Sequence, residues 1–408
     1  MKKILLLVLA ILVIGGGLFV YLNYSRIERV QTVATLFTGA EQYENFNRMH
    51  EFFPSTEMPA ATTPFEFGTG ETIGLPDSFT YNGNTVDTEN FLSETDTVAL
   101  LVIHNGDIRF ERYMLTGGED VTWLSMSVAK SFISALVGIA VSEGHIDSIE
   151  DPITNYVPSL AGSAYDGVAI RDILQMSSGA SWNEDYSNPE SDINRFARIF
   201  ALGGSMDEFA ATLTRENEPG TFNRYNSTDT QVLGMMLTNA TGRSVTDYMI
   251  EKLWHPLGAT NSAYWLTDSP GMEMVFGGMN ATARDYAKLG ELYRRGGRLN
   301  GEQIVPEEWV TSSVTPNAPH LMPGTDNPAS DFPLGYGYQW WVPEGDDGEF
   351  SAIGVYNQFI FVNPTNGTVI VKLSAFSDYG IDLEEEHYRE IETIELFRAI
   401  GDVVTAGQ

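Results

Sequence analysis

The chain has 408 residues with 55 acidic against 23 basic side chains, a formal net charge of −32, and no cysteine. That acidity, with lysines and arginines scattered rather than clustered, argues against nucleic acid as a partner and against polyanionic substrates. Without cysteine there is neither a disulfide framework nor a lipoprotein anchor, and cysteine usage identifies no redox compartment.

The first element in the chain is an apolar run of 19 residues, Ile4 to Leu22, preceded by Lys2-Lys3 and followed by Arg26 and Arg29. Its length suits a membrane span better than the core of a signal peptide, and no small-x-small cleavage site closes it. The expectation is a single-pass anchor over residues 1–25, facing inward with its N-terminus, that holds the rest of the chain at the cell membrane outside the cytoplasm, periplasmic or extracellular. A cleaved signal peptide is the alternative reading. Any contact with membrane is expected through this segment alone.

Residues 26–92 are rich in Thr, Glu, Pro and Phe without a sustained period, and read as a tether plus an extended wrap. Residues 93–408 contain no Gly/Ser-rich or Pro-rich linker and read as one large domain. That domain opens with a continuous apolar run, Val98 to His104, and a more alternating one, Ile108 to Met114. Asn105-Gly106-Asp107 between them is a strong hairpin signal.

The next segment carries the chemistry. In Ser-Met-Ser-Val-Ala-Lys-Ser-Phe, Ser127 and Lys130 stand three residues apart at the head of a segment apolar on nearly every face, which ends at Glu143-Gly144. The pattern predicts a buried helix with Ser127 in its first turn. Residues i and i+3 are neighbours on such a helix, and long side chains lean toward its N-terminus, so the Lys130 amine is aimed at the Ser127 hydroxyl. Desolvation lowers the pKa of a buried lysine and makes it a candidate general base, while the helix N-terminus offers an N–H to an oxyanion. The same spacing test fails at other lysines: the residues three before Lys252, Lys288 and Lys372 are Met249, Asp285 and Val369.

Farther on, Thr228 with Gln231 forms a capping-box pattern ahead of the apolar Val232, Leu233, Met235 and Met236, which places Tyr225 in the loop before a buried helix. Trp340 and Trp341 are candidate walls of an acyl pocket. A second strand cluster follows at Phe350 to Tyr356, Gln358 to Val362 and Thr368 to Ser374, the last after an Asn366-Gly367 turn. Ile391, Ile394, Phe397 and Ile400 then mark an amphipathic C-terminal helix, and Glu384-Glu385-Glu386 reads as its solvated start. The economical fold is α/β (α+β): an antiparallel sheet built from both ends of the domain, flanked by helices, with a mainly helical subdomain inserted.

Rival chemistries find little support. The six histidines show no metal-ligand spacing, no Gly-x-Ser-x-Gly elbow is present, and no phosphate-binding glycine fingerprint follows a strand. The expectation is an enzyme that uses neither metal nor cofactor.

Trp123-Leu-Ser-Met-Ser-Val-Ala-Lys-Ser-Phe132, Ile146-Asp-Ser-Ile-Glu-Asp-Pro152 and Ile170-Arg-Asp-Ile-Leu-Gln-Met-Ser-Ser-Gly179 together resemble the serine β-lactamase and penicillin-binding superfamily on its class C side. Around Trp182-Asn-Glu-Asp-Tyr186 the chain more narrowly resembles the 6-aminohexanoate-dimer hydrolases, which open nylon oligomers, and related carboxylesterases. The resemblance implies a β-lactamase-like fold and a serine hydrolase that forms an acyl-enzyme on small esters or amides. It implies Ser127 as nucleophile, Lys130 as its base, and Tyr225 of Tyr225-Asn226-Ser227 as the group relaying the proton to the leaving group. Tyr186 matches the tyrosine that contacts the scissile amide, and Ser227, Gly354 and Trp341 join it as substrate-site residues. The N–H groups of Ser127 and Val355 would form the oxyanion hole.

One departure matters. The family's third element is a strand bearing Lys-Thr-Gly or His-Thr-Gly, whose cation receives a substrate carboxylate; here that strand reads Ala352-Ile353-Gly354, with no basic residue between Asp346 and Gln358. The alternatives are a β-lactamase or D-Ala-D-Ala carboxypeptidase, which the missing cation disfavours, and a non-catalytic binding protein on the same scaffold, whose mark would be a lost Ser, Lys or Tyr. The sequence carries no reading of oligomeric state.

Overall fold

The computed structural model describes residues 41–381 and 388–406 continuously, with scattered residues between 14 and 39. An eight-stranded sheet forms its centre, in the spatial order Gly335–Tyr336, Trp341–Val342, Phe350–Gly354, Gln358–Asn363, Thr368–Ser374, Thr97–His104, Asp107–Tyr113 and Gly68–Thr69. All its neighbours are antiparallel except the last pair. The two ends of the domain meet where Thr368–Ser374 pairs with Thr97–His104, from Thr368 opposite His104 to Ser374 opposite Thr97. His104 pairs with Asp107 across a two-residue loop, and Asn105 and Gly106 both take positive φ, 52° and 90°. Those are the residue types that tolerate the mirror-image turn matching strand twist.

The continuous apolar strands are explained by layers on both faces. Leu100, Val102, Phe359, Phe361 and Ile370 pack with Ile394, Phe397 and Ile400 of the C-terminal helix Glu390–Ala406. The alternating residues Ala99, Leu101, Ile103, Ile360, Val362, Val369 and Val371 belong to the larger core with Phe132, Leu136, Tyr286 and Leu289. A strand buried on both faces has no polar side to alternate with, so its sequence reads as an unbroken run.

On the larger-core side lie the helix Ala129–Ser142 and the long helix Ser227–Thr241 that packs beside it. The predicted stop of the first helix is present: Glu143 caps it and Gly144 follows with φ +77°. A smaller sheet joins Ser55–Met58, Ala263–Leu266, Met279–Ala281 and Trp123–Leu124, and its last strand leads directly into Ser127. Residues 41–94 contribute short elements along the body, among them the hairpin Ser78–Tyr81 with Asn84–Asp87.

Two expectations change. Residues 4–13 of the expected anchor lie outside the described residues, as do Glu384-Glu385-Glu386. Among the described residues no helix is long and apolar enough to cross a membrane, which overturns the reading of a transmembrane anchor and the membrane and periplasmic placement built on it. The 19-residue count gave weight to length alone; the described part of the run is helical only over short stretches, 14–18 and 20–22. The capping box also fails. Asn226 is the cap, its side chain accepting from the Thr228 N–H at 2.8 Å, while Thr228 and Gln231 sit inside the helix. Asparagine is as good a cap as threonine, and it stands one residue before the helix begins.

Candidate active site

Strand, turn and helix present Ser127. Trp123 and Leu124 pair with Ala281 and Asn280, and the Ser125 N–H donates to Met279 O at 2.7 Å. Met126 then takes φ +46°, a left-handed conformation that costs a non-glycine residue about 1 kcal/mol and turns the chain sharply. Ser127 follows in a single 3₁₀ turn, Met126–Val128, that runs into the helix Ala129–Ser142. Its N–H is thus one of the first-turn donors that no helical carbonyl satisfies.

The edge of the large sheet presses on this turn. A Cβ at Gly354 would stand 2.8 Å from Ser125 O and 3.0 Å from Ser127 N, both backbone atoms that cannot swing aside. The close approach of the turn that carries Ser127 therefore requires glycine here. The next residue, Val355, begins the turn out of the strand.

Lys130 is 1 % exposed, and its Nζ donates to Ser127 Oγ at 2.8 Å, Ser227 Oγ at 3.2 Å and Phe276 O at 2.8 Å. Burial pushes its pKa down to about 7, while the negative charge of Glu184 pulls the other way. The rings of Tyr225 and Phe276 lie 5.0 and 5.5 Å from the amine. All three acceptors are neutral, which is why burial lowers the pKa so far.

Tyr225 also lies close to Ser127. Its ring stacks on Trp341 at 5.2 Å and meets Tyr336 and Phe332 edge-on. Burial holds its hydroxyl well above the usual phenol range, Glu184 adding to the effect and an interaction with the Ser127 hydroxyl opposing it. Beneath it Asp229 accepts from Ser178 Oγ, Tyr165 OH and Asn226 Nδ2 at 2.7 to 3.0 Å, and burial raises its pKa to about 7.

The loop of Tyr186 closes the group. Glu184 Oε1 accepts from Ser227 Oγ at 2.7 Å and from Tyr186 OH at 2.8 Å; Oε2 accepts from the Ser227 N–H at 3.3 Å and from Trp182 Nε1. Ser127, Lys130, Tyr225, Ser227 and Tyr186 are therefore brought together through direct contacts, with Trp341 behind Tyr225. Trp340 is not among them: it stands just before the strand Trp341–Val342 and packs into the larger core against Tyr293 and Phe350.

Sequence reasoning missed three participants. Glu184 lay inside the quoted Trp182–Tyr186 segment, and its signal was a carboxylate two residues before a site tyrosine. The Phe276 carbonyl is backbone and carries no side-chain signal. Met126 was visible only as the residue before Ser127, because positive φ at methionine cannot be read from its type.

The chain's likeness to known proteins agrees with this geometry. The Beta-lactamase family pattern matches residues 88–392. Over 301 residues the chain is 35 % identical to a 6-aminohexanoate-dimer hydrolase of Paenarthrobacter ureafaciens, covering 72 % of this chain and 76 % of that one. Among solved structures, a Bacillus anthracis protein assigned to the 6-aminohexanoate-dimer hydrolases superposes with a TM-score of 0.80 at 23 % identity, covering 91 % of this chain and 96 % of that one. EstCE1, a hydrolase with promiscuous acyltransferase activity, superposes at 0.59 with 16 % identity, over 77 % of this chain and 96 % of its own. At those identities the two structures speak for the fold.

Proposed function

Since the chain belongs to the beta-lactamase family, we propose that it is a serine hydrolase that cleaves esters or small amides through an acyl-enzyme on Ser127. The observation that carries this reading is the 2.8 Å contact between Lys130 Nζ and Ser127 Oγ, made by an amine whose other acceptors are also neutral.

Near and above pH 7 the Lys130 amine is free to take the Ser127 proton as Oγ attacks the acyl carbon. The N–H groups of Ser127 and Val355 receive the developing oxyanion, which is the step where fixed dipoles contribute most. Tyr225, close to Ser127 and kept protonated by burial, hands a proton to the departing alcohol or amine and is reprotonated from Lys130. Water then attacks the acyl-enzyme by the same route in reverse.

Trp341, Tyr225 and Tyr186 make the visible walls aromatic, which suits an uncharged acyl chain. No basic residue stands on the strand Phe350–Gly354. Lys372, two strands away, is fully buried and donates to Asn357 Oδ1 and Ser374 Oγ. A penicillin-type carboxylate therefore lacks its usual receiver, which favours plain esters and amides over β-lactams and D-Ala-D-Ala peptides. A nitrophenyl ester serves as test substrate: Ser127→Ala should abolish its hydrolysis, and a fluorophosphonate should label Ser127 of the wild type. Undiminished hydrolysis by the alanine variant would sink the assignment.

A further inference from the structure

Lys130 donates toward three acceptors, and as an ammonium it has three protons, so the charged form is fully satisfied. The neutral form needed for catalysis has two N–H bonds and one lone pair. One of the three contacts must then reverse, and the reaction requires that it be Ser127, whose proton has to point at the amine. The Phe276 carbonyl cannot reverse, because it is only an acceptor. Ser227 could: its hydroxyl is able to donate to the lone pair and so displace the proton of Ser127.

What prevents this is Glu184. A carboxylate only accepts, so the single proton of Ser227 Oγ is committed to Glu184 Oε1 at 2.7 Å, and a lone pair of Ser227 is left facing Lys130. The carboxylate is itself held by donors on both oxygens, Tyr186 OH and Ser227 Oγ on one, Trp182 Nε1 and the Ser227 N–H on the other. With four donors converging on it, it is fixed in place as an acceptor.

Resting on the reading of Ser127 and Lys130 as nucleophile and base, we propose that Glu184 is a positioning residue of this site: by fixing the direction of the Ser227 hydroxyl, it reserves the lone pair of neutral Lys130 for the proton of Ser127. Its action on the base is double, since its charge also favours the ammonium form. The other titratable groups at hand are Tyr225, over whose ring the amine lies, Tyr186 on Glu184 itself, and Asp229 and Tyr336, both of which feel the Glu184 charge. Among the described residues Glu184 is the charged group whose field acts on Lys130.

Glu184→Gln tests this with nearly unchanged shape. The Trp182 and Ser227 N–H groups can only donate, so the amide oxygen turns toward them and the NH₂ toward the two hydroxyls. Ser227 must then accept from Gln and point its own proton at Lys130. The experiment measures fluorophosphonate acylation of Ser127 against pH in the wild type, Glu184→Gln, Ser227→Ala and the double variant. Glu184→Gln should slow acylation roughly ten- to hundred-fold, no more than the low end of the ~10²–10⁴ that a general base supplies, because the base itself is kept. Its acid limb should move to lower pH, because the charge that favours the ammonium is gone. The double variant should be faster than Glu184→Gln alone, since the competing hydroxyl has been removed.

A double variant no faster than Glu184→Gln, or an acid limb that stays in place, overturns the positioning role while leaving the nucleophile assignment intact. A wild type that is not labelled at Ser127 overturns both.

Discussion

Two lysines in this molecule occupy the same local setting and do opposite work. Lys130 follows Ser127 by three residues at the start of one helix, and Lys288 follows Asp285 by three residues near the start of another, Ala283–Arg294. Each is 1 % exposed and each donates to one backbone carbonyl and one hydroxyl: Phe276 O and Ser227 Oγ for Lys130, Gly258 O and Thr260 Oγ1 for Lys288. The third partner differs. It is the Ser127 hydroxyl at 2.8 Å in one case and the Asp285 carboxylate at 2.8 Å in the other. Burial lowers both pKa values, but Asp285 pulls that of Lys288 back up through charge and hydrogen bond, whereas Lys130 is left at about 7. Spacing and burial alone therefore do not leave a lysine near pKa 7; the absence of a bonded carboxylate is also needed.

The comparison breaks most easily at Lys130. Lys130→Met should lower kcat/KM for a nitrophenyl ester by ~10²–10⁴, the range of general-base catalysis, and cost only about 1–2 kcal/mol of stability, because the groups it strands are neutral and no bonded carboxylate is among them. In the wild type, kcat/KM should rise with pH through about 7. Below that value Lys130 carries the extra proton and cannot accept one, and above it the amine is neutral. A profile flat from pH 5 to 8 would remove Lys130 from the base role.

At Lys288 the signs reverse. Lys288→Met leaves Asp285 buried with its charge uncompensated, and urea melts should show a loss of ~3 kcal/mol, toward the low end for a broken buried pair. The N–H groups of Thr260 and Asn261, which still donate to Asp285, limit the damage. The ester activity of the folded fraction should not change. Equal stability losses at the two lysines would mean that the partner's charge is not what separates them.

The same contrast shows how far the sequence could be read. Ser127 and Lys130 were legible because helix geometry is local: three residues fix which side chains meet. The middle of the sheet was legible because burial on both faces marks Thr97–His104, Phe350–Gly354, Gln358–Asn363 and Thr368–Ser374 as apolar runs, and its hairpin because Asn105-Gly106 admits few other turns, whereas the two-residue strands at its edges carry no such mark. Glu184 was not, because its role depends on which hydroxyl it meets from a helix 43 residues away. Trp340 and Trp341 looked equivalent because nothing in their types says where the strand starts; Trp341 opens it and stacks on Tyr225, while Trp340 stands just before it and packs into the core. Asn226 and Thr228 are both good caps by type, so the cap could be placed only once the helix start was known.

A third lysine sharpens the comparison with the smallest effect. Lys372 is fully buried, and its pKa is lowered well below the usual amine range, first by burial and then by the nearby Arg389. Its partners, Asn357 Oδ1 at 2.5 Å and Ser374 Oγ at 2.6 Å, are neutral like those of Lys130, yet no reacting hydroxyl is within its reach and it lies over the ring of Phe91. A neutral partner is thus necessary for a base without being sufficient. What Lys372 holds is Asn357, which with Tyr356 takes positive φ in the turn that begins at Val355. Lys372→Met keeps the length of the side chain and strands only neutral groups, so it should cost about 1–2 kcal/mol in a urea melt. The loosened turn carries the Val355 N–H, so kcat should fall a few-fold with the pH profile unmoved. A shift of the acid limb in that variant would make Lys372 part of the proton path and erase the distinction between the two neutral-partnered lysines.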